Sequence, residues 1–360
     1  MKAEDNVSIS VSILFCLMMI SFSFIAETIC VAQTADSSIA VRIVTDEADA
    51  VLAILAKDKS NHTITEKEWQ NVFSSEGYVR LKKREASLQR TFTDDEFKTF
   101  VLSDALAGQY QSLKTTLDKW RSADVTGAAT RALGYLPSGA RIETKIYPVI
   151  KPKTNSFVFE VTTDPAIFLY LNSDISREQF ENTLAHEFHH VGYANSCEAL
   201  AVKISKDSTI STNIRTVLEL IGVFGEGFAM LAAAGGPDIH PHAVSKPAEK
   251  ERWDNDMKNF NDDVKRVARL FVDILDDKLT AEEIQKSAYS FFGIQGPWYT
   301  VGWKMAVTIE KTYGRAKLIE CICDPRILLS TYNQAASEHN RSVRDFLATW
   351  SPSLVERIGK

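Results

Sequence analysis

One nine-residue stretch carries residues that could do metal chemistry. Asn182-Thr183-Leu184-Ala185-His186-Glu187-Phe188-His189-His190 contains the pattern His-Glu-x-x-His at positions 186, 187 and 190. On a helix, His186 and His190 lie one turn apart on the same face, about 5–6 Å from each other. Two imidazoles so placed can grip one tetrahedral metal ion, and zinc suits that ligand chemistry. Glu187 projects from the adjacent face, where a carboxylate can take a proton from a water that the metal has acidified. His189 points about 60° off that face, given about 100° per residue, which suits a supporting or core histidine. Leu184, Ala185, Phe188 and Val191 make the surroundings apolar. The imidazoles are then semi-buried and need partners.

Two imidazoles leave zinc short of a protein ligand. A histidine six residues after His190 would supply one, but Ser196 stands there, and Tyr193 stands where that pattern needs glycine. The acids that remain are Glu198, Glu219 and Glu226. Glu198 lies near or beyond the expected helix end. Glu226 sits in Phe224-Gly225-Glu226-Gly227-Phe228-Ala229-Met230-Leu231, where a carboxylate is costly unless it is paired or metal-bound. Its flanking glycines let another helix approach. We assign Glu226 as the third ligand; Glu219, about two turns earlier on the same face, could instead hydrogen-bond a ligand imidazole. For stabilising a developing oxyanion the candidates are Tyr299, beside Gly296-Pro297, and His240 and His242, after Gly235-Gly236-Pro237. Tyr299 joins Glu187 in the expected catalytic set, although an aromatic at a helix start can also be a simple cap, and His240-Pro241-His242 also reads as an exposed loop.

The elements around these residues can be read from local signals. Thr65-x-x-Glu68, Thr93-x-x-Glu96, Ser176-x-x-Gln179 and Thr280-x-x-Glu283 match the capping box, in which a hydroxyl and a carboxylate or amide satisfy orphan amides of a first turn. Helices are expected over 45–57, 65–73, 94–120, 176–194 and 211–234, with the remainder mostly helical and 79–90 a solvated helix face or loop. After Pro137-Ser138-Gly139 the pattern changes. Residues 141–150, 156–161 and 166–171 are β-branched or apolar runs and read as two or three strands of one small sheet. The sum is a predominantly helical α+β chain. We divide it into 1–32, 33–135 (helical) and 136–360 (the metal-binding region).

Composition narrows the class. The 360 residues include 41 Lys+Arg against 47 Asp+Glu, a net charge of -6, with 45% hydrophobic and 24% charged residues. These are globular values, and they argue against a nucleic-acid partner held by bulk charge. Residues 7–26 are almost uncharged, and Cys30-Val31-Ala32 before Gln33 fits a signal-peptidase site. A secretory signal over 1–32 is expected, with an uncleaved membrane anchor over 7–26 as its rival; either places the rest outside the cytoplasm. Cys197, Cys321 and Cys323 then remain, an odd number that allows one bridge, from Cys197 to one of the later pair. Asp324-Pro325-Arg326 reads as a turn closed by an ion pair.

His186-Glu187-x-x-His190, followed 36 residues later by Glu226 in a Gly-Glu-Gly-Phe-Ala helix, resembles the gluzincin class of zinc metallopeptidases. More narrowly, the chain resembles a family of bacterial zinc-dependent peptidases over about residues 140–340, with Trp298-Tyr299-Thr300-Val301-Gly302-Trp303 and Asp324-Pro325-Arg326 as weaker shared stretches. The resemblance implies a zincin-like fold with a small mixed sheet beside the metal helix, one zinc ion per chain and a peptide or protein substrate. It also implies an edge strand, here expected at Ala166–Leu171, that holds an extended substrate by strand addition. Two other functions share these residues: a weakly active binding protein that keeps the fold, and a hydrolase of non-peptide amides. Retention of Glu187 speaks against the first, since binding alone has no need of a general base.

Overall fold

A computed structural model describes residues 38–342 and 345–359; the expected signal segment 1–32 lies outside them. Among the described residues the chain is predominantly helical α+β with one four-stranded mixed sheet. Strand β1 (Ile39–Ile43) comes first, followed by α1 (Asp46–Lys59), α2 (Glu66–Phe73), α3 (Glu76–Ser87), α4 (Asp94–Val101), α5 (Asp104–Ala107), α6 (Tyr110–Arg121) and α7 (Val125–Leu133). Strands β2 (Ile142–Val149), β3 (Phe157–Phe159) and β4 (Ala166–Tyr170) lead into α8 (Arg177–Lys206). Nine helices complete the described chain: α9 (Thr212–Gly222), α10 (Gly225–Ala234), α11 (Pro247–Met257), α12 (Phe260–Leu275), α13 (Ala281–Ser290), α14 (Pro297–Tyr313), α15 (Arg315–Cys323), α16 (Pro325–Ser342) and α17 (Pro352–Ile358).

All four expected capping boxes are formed, at Thr65, Thr93, Ser176 and Thr280. Each helix start was legible because its signal spans only four residues. Several boundaries differ from expectation. Of the 79–90 stretch, read as helix face or loop, 79–87 lie in helix α3 and 88–90 beyond its end, and the 94–120 stretch is three helices rather than one. Helix α8 runs twelve residues past its expected end at 194. The 211–234 stretch is broken into α9 and α10. There, Val223, Phe224, Glu226 and Gly227 donate to carbonyls three residues back rather than four, a tighter turn that interrupts the α-helical ladder.

The sheet order is β1-β2-β4-β3, with β1, β2 and β4 parallel and β3 antiparallel to β4. Strand β4 is therefore interior. The expectation that Ala166–Leu171 forms a free edge is corrected: its two sides are taken by β2 and β3, so it cannot accept a substrate strand. The edges are β1 and the three-residue β3. Pro148 is tolerated in the central strand for a definable reason. The Val44 amide donates to the Ile146 carbonyl at 2.8 Å, at the end of β1. Two residues on, Pro148 faces the same side, beyond the last paired residues of β1 and β2, so its missing N–H breaks no bond within that ladder.

Two cores flank α8. Its first half buries Phe180, Leu184, Phe188 and Val191 with Ile142, Ile146 and Ile167 of the sheet and with α1, α6 and α7. Its second half contributes Cys197 and Ile204 to a helical core built from α9, α10, α12 and α14–α17. Cys197 and Cys323 are joined by a disulfide, and Cys321 is free and buried. Thr212–Ala234 is apolar and long enough to cross a membrane by composition alone, yet it is mostly buried within this second core.

Candidate metal centre

The centre forms where α8, α10 and α14 meet. The box at Ser176 starts α8: the Gln179 amide donates to Ser176 Oγ and the Ser176 amide donates to Gln179 Oε1, both at 3.1 Å. Ten residues on, His186 and His190 project from one face. The tight turn at 223–227 opens α10, and Glu226 is its second residue. Gly227 and Gly302 let α10 and α14 approach backbone to backbone. A Cβ on Gly227 would lie 2.0 Å from the Trp303 nitrogen, and one on Gly302 would lie 2.5 Å from the Phe224 oxygen. Tyr299 is one turn before Gly302.

Glu226 Oε2 lies 3.2 Å from His186 Nε2 and 3.3 Å from His190 Nε2, and the two Nε2 atoms are 3.0 Å apart. These three atoms form a small, nearly equilateral triangle. Around a tetrahedral zinc with bonds of about 2.0–2.1 Å, neighbouring ligand atoms are separated by about 3.3–3.4 Å. The donor set therefore fits one zinc ion, with a fourth position left for solvent or substrate. Among the described residues this is the group of His, Cys, Asp and Glu side chains close enough to hold a metal ion. Electrostatics agree. Burial opposes ionisation of Glu226, but the two imidazoles outweigh it and hold the carboxyl well below its ordinary range. A buried carboxylate facing two imidazole nitrogens is a place prepared for positive charge.

Tyr299 lies against the centre. Its ring is 6.4 Å from that of His186, with the planes 18° apart, and its hydroxyl is within reach of the Glu226 carboxylate. Burial first, then the charges of Glu226 and Glu187, push its phenol far above the ordinary value, so it remains a proton donor. Glu187 is half-buried, and its charge is felt by both His190 and Tyr299.

Other candidates go elsewhere. Glu198 is exposed. Glu219 is half-buried on α9, and burial raises its carboxyl. It does not support His186, whose Nδ1 is buried without a hydrogen-bond partner. His240 pairs with Asp254 through Nε2 at 2.9 Å. His242 is buried beside Trp253, with Nδ1 2.9 Å from Ser245 Oγ. His189 is buried, and burial followed by the neighbouring imidazoles pushes it down to about 3, so it is neutral. Asp324 and Arg326 form the expected turn, with Arg326 donating to both carboxylate oxygens at 2.9 and 2.7 Å. Gln295 was not singled out in the sequence, and only the glycines at 293 and 296 mark its loop. Its amide nitrogen reaches 4.0 Å from Met230 Sδ, one turn beyond Glu226.

A family model described as "putative zinc dependent peptidase" (DUF5700) matches residues 44–341. The chain belongs to this family. The matched span of this zinc dependent peptidase family member runs from the end of β1 into α16 and contains all three converging side chains. Neither a comparison with curated proteins nor one with solved structures gave a match.

Proposed function

We propose that this protein is an exported zinc metallopeptidase that hydrolyses peptide bonds, with His186, His190 and Glu226 as its ligands for one zinc ion and Glu187 as its general base. The observation that carries this reading is the triangle of ligand atoms with edges of 3.0–3.3 Å, flanked by a second carboxylate and a phenol. Bound there, zinc supplies Lewis acidity, which both polarises a carbonyl and makes a nearby water a better nucleophile at neutral pH. Glu187 is the carboxylate of the motif that is not a ligand. It takes the proton of the attacking water and passes it to the amine that leaves. Tyr299 donates its phenolic hydrogen to the carbonyl oxygen as that oxygen gains charge, a contact worth most when the substrate has displaced water. Export is supported by the apolar segment at 7–26 ahead of a peptidase-like site, and by the disulfide, which suits an oxidising compartment.

The test joins metal analysis to digestion of a peptide library. Purified protein should hold one zinc per chain, His190→Ala should hold almost none, and Glu187→Gln should keep zinc and lose hydrolysis. Full activity in Glu187→Gln, or unchanged zinc in His190→Ala, would reject the mechanism or the site respectively. For export, the mature N-terminus should fall at or near Gln33; an intact Met1 on extracellular material rules out cleavage there.

A further inference from the structure

We propose that Tyr299, Phe292 and Tyr289 form an aromatic track leading from the metal centre to solvent, which selects extended peptides with aromatic side chains at alternate positions. This rests on the peptidase reading and adds the substrate class. The track can be followed ring by ring. The Tyr299 ring is 6.4 Å from that of His186. Phe292 meets Tyr299 edge-on, with ring centres 6.5 Å apart and planes at 71°. Tyr289, in the last turn of α13, follows Phe292 at 6.3 Å. Tyr299 and Phe292 are half-buried, and Tyr289 is 45% exposed, so the series opens outward from the ligand imidazole.

The segment that carries the track is held in one shape. Between α13 and α14, Gly293 has a φ of 47° and Gln295 one of 62°, a left-handed conformation uncommon for a residue with a side chain. Such a conformation persists only where its surroundings enforce it. Here the Gly296 amide donates to the Phe292 carbonyl at 2.6 Å. A Cβ on Gly296 would lie 2.7 Å from the Phe291 carbonyl oxygen, so only glycine lets the turn close. Beneath it Phe291 is buried, and Trp298 Nε1 donates to the Ala288 carbonyl at 2.9 Å. That bond fixes the end of α13 to the first turn of α14, and with it the spacing of Tyr289 and Phe292 from Tyr299.

The spacing gives the occupant. Steps of 6.3–6.5 Å from ring to ring are close to the rise of about 6.6 Å over two residues of an extended chain. Alternate side chains of such a chain share one face, so a peptide lying along the track sets every second side chain against a ring. Aromatic groups meeting at about 4.5–7 Å, offset or edge to face, gain beyond simple apolar burial. The same turn leaves Ile294 71% exposed beside the track. Large apolar groups kept in water next to a reacting centre mark a surface that a ligand covers.

The experiment uses the full chain with zinc bound and two fluorescein-labelled octapeptides that differ only in Phe or Ser at two alternate positions. Wild type should cleave the Phe peptide with a kcat/KM about tenfold higher. Tyr289→Ser, at a position too exposed to threaten folding, should cut that preference several-fold at unchanged zinc content, and Tyr289→Phe, which keeps the ring, should retain it. Phe292→Ser should reduce it further. Anisotropy with Glu187→Gln measures binding of the same peptides without turnover. Equal cleavage of both peptides by wild type, or a preference unchanged in Tyr289→Ser and Phe292→Ser, overturns the track and leaves the peptidase reading intact. If wild type cleaves neither peptide, the peptidase reading fails. The track then survives only if Glu187→Gln binds the Phe peptide more tightly and adding Tyr289→Ser abolishes the difference; equal binding removes it as well.

Discussion

At the scale of single residues, the centre was legible where its signal is local. His186, Glu187 and His190 announce themselves through a five-residue spacing, and Glu226 through being an acid in an apolar run. Gln295 carried no such signal, since its contact with Met230 of α10 is long-range. His240, weighed in sequence as an oxyanion donor or an exposed loop residue, pairs through Nε2 with Asp254, a partner that its own motif does not show. Tyr299 is the residue whose role can be isolated most cleanly. Tyr299→Phe removes one hydrogen-bond donor and leaves the ring against His186, so zinc content and KM should hold while kcat falls by about 10²–10³, measured by steady-state hydrolysis. A second residue-scale effect lies far from the centre. Glu47 is fully buried beside β2, accepting from the Ile150 amide at 3.0 Å with Oε1 unpartnered. Burial raises its carboxyl from 4.5 to about 8. The folded chain keeps this proton where the unfolded chain has lost it, so the associated stability is present below about pH 4.5 and drains away as pH rises toward 8. By linkage the loss is at most about 5 kcal/mol. Glu47→Gln should flatten the dependence of Tm on pH between about 5 and 8.

At the scale of elements, every capping box was readable, and each error has its own physical cause. Ala166–Leu171 looked like a free edge because an apolar run does not show which strand pairs with it; β3, just upstream, folds back antiparallel on β4. Strand β1 offered only five residues, Ile-Ala-Val-Arg-Ile, with too short an alternation to stand out. The break between α9 and α10 was hidden because apolar residues continue through it, and only the backbone bonding changes. That break and the α10–α14 crossing together bring Glu226 to Tyr299. Gly227→Ala would place a methyl against the Trp303 backbone, where no flexible side chain can give way. We expect a loss of about 1–3 kcal/mol in chemical denaturation, and weaker zinc binding even where the variant stays folded, since α10 must move away from α14 and carry its carboxylate with it. Unchanged zinc affinity in a folded Gly227→Ala protein would separate the crossing from the centre.

At the scale of the whole molecule, α8 belongs to two cores at once, and His186 and His190 sit near the handover between them. The disulfide fastens its second half to the end of α15 across 126 residues of sequence. Closing a loop of that length restricts the unfolded chain by about 5 kcal/mol in the entropic picture, and natural bridges commonly deliver about 2–5 kcal/mol. Reduction, or Cys197→Ser, should lower stability by that amount. Hydrogen exchange should show the opening first in residues 193–206, with the sheet-facing half of α8 less affected. Uniform loosening of both halves would show the cores to be one cooperative unit.

The parallel pairing of β1 with β2 also sets a timetable for birth on the ribosome. Ile39 is matched to Ile142, so the first strand is made about a hundred residues before its neighbour exists. At about 5–20 residues per second, that is a wait of roughly 5–20 s. Helices α1–α7 can assemble in that interval around a strand still lacking its mate. When β2 and β4 emerge they complete the platform, and α8 follows at once, so the two imidazoles are laid onto a finished floor while the carboxylate that joins them has yet to be translated.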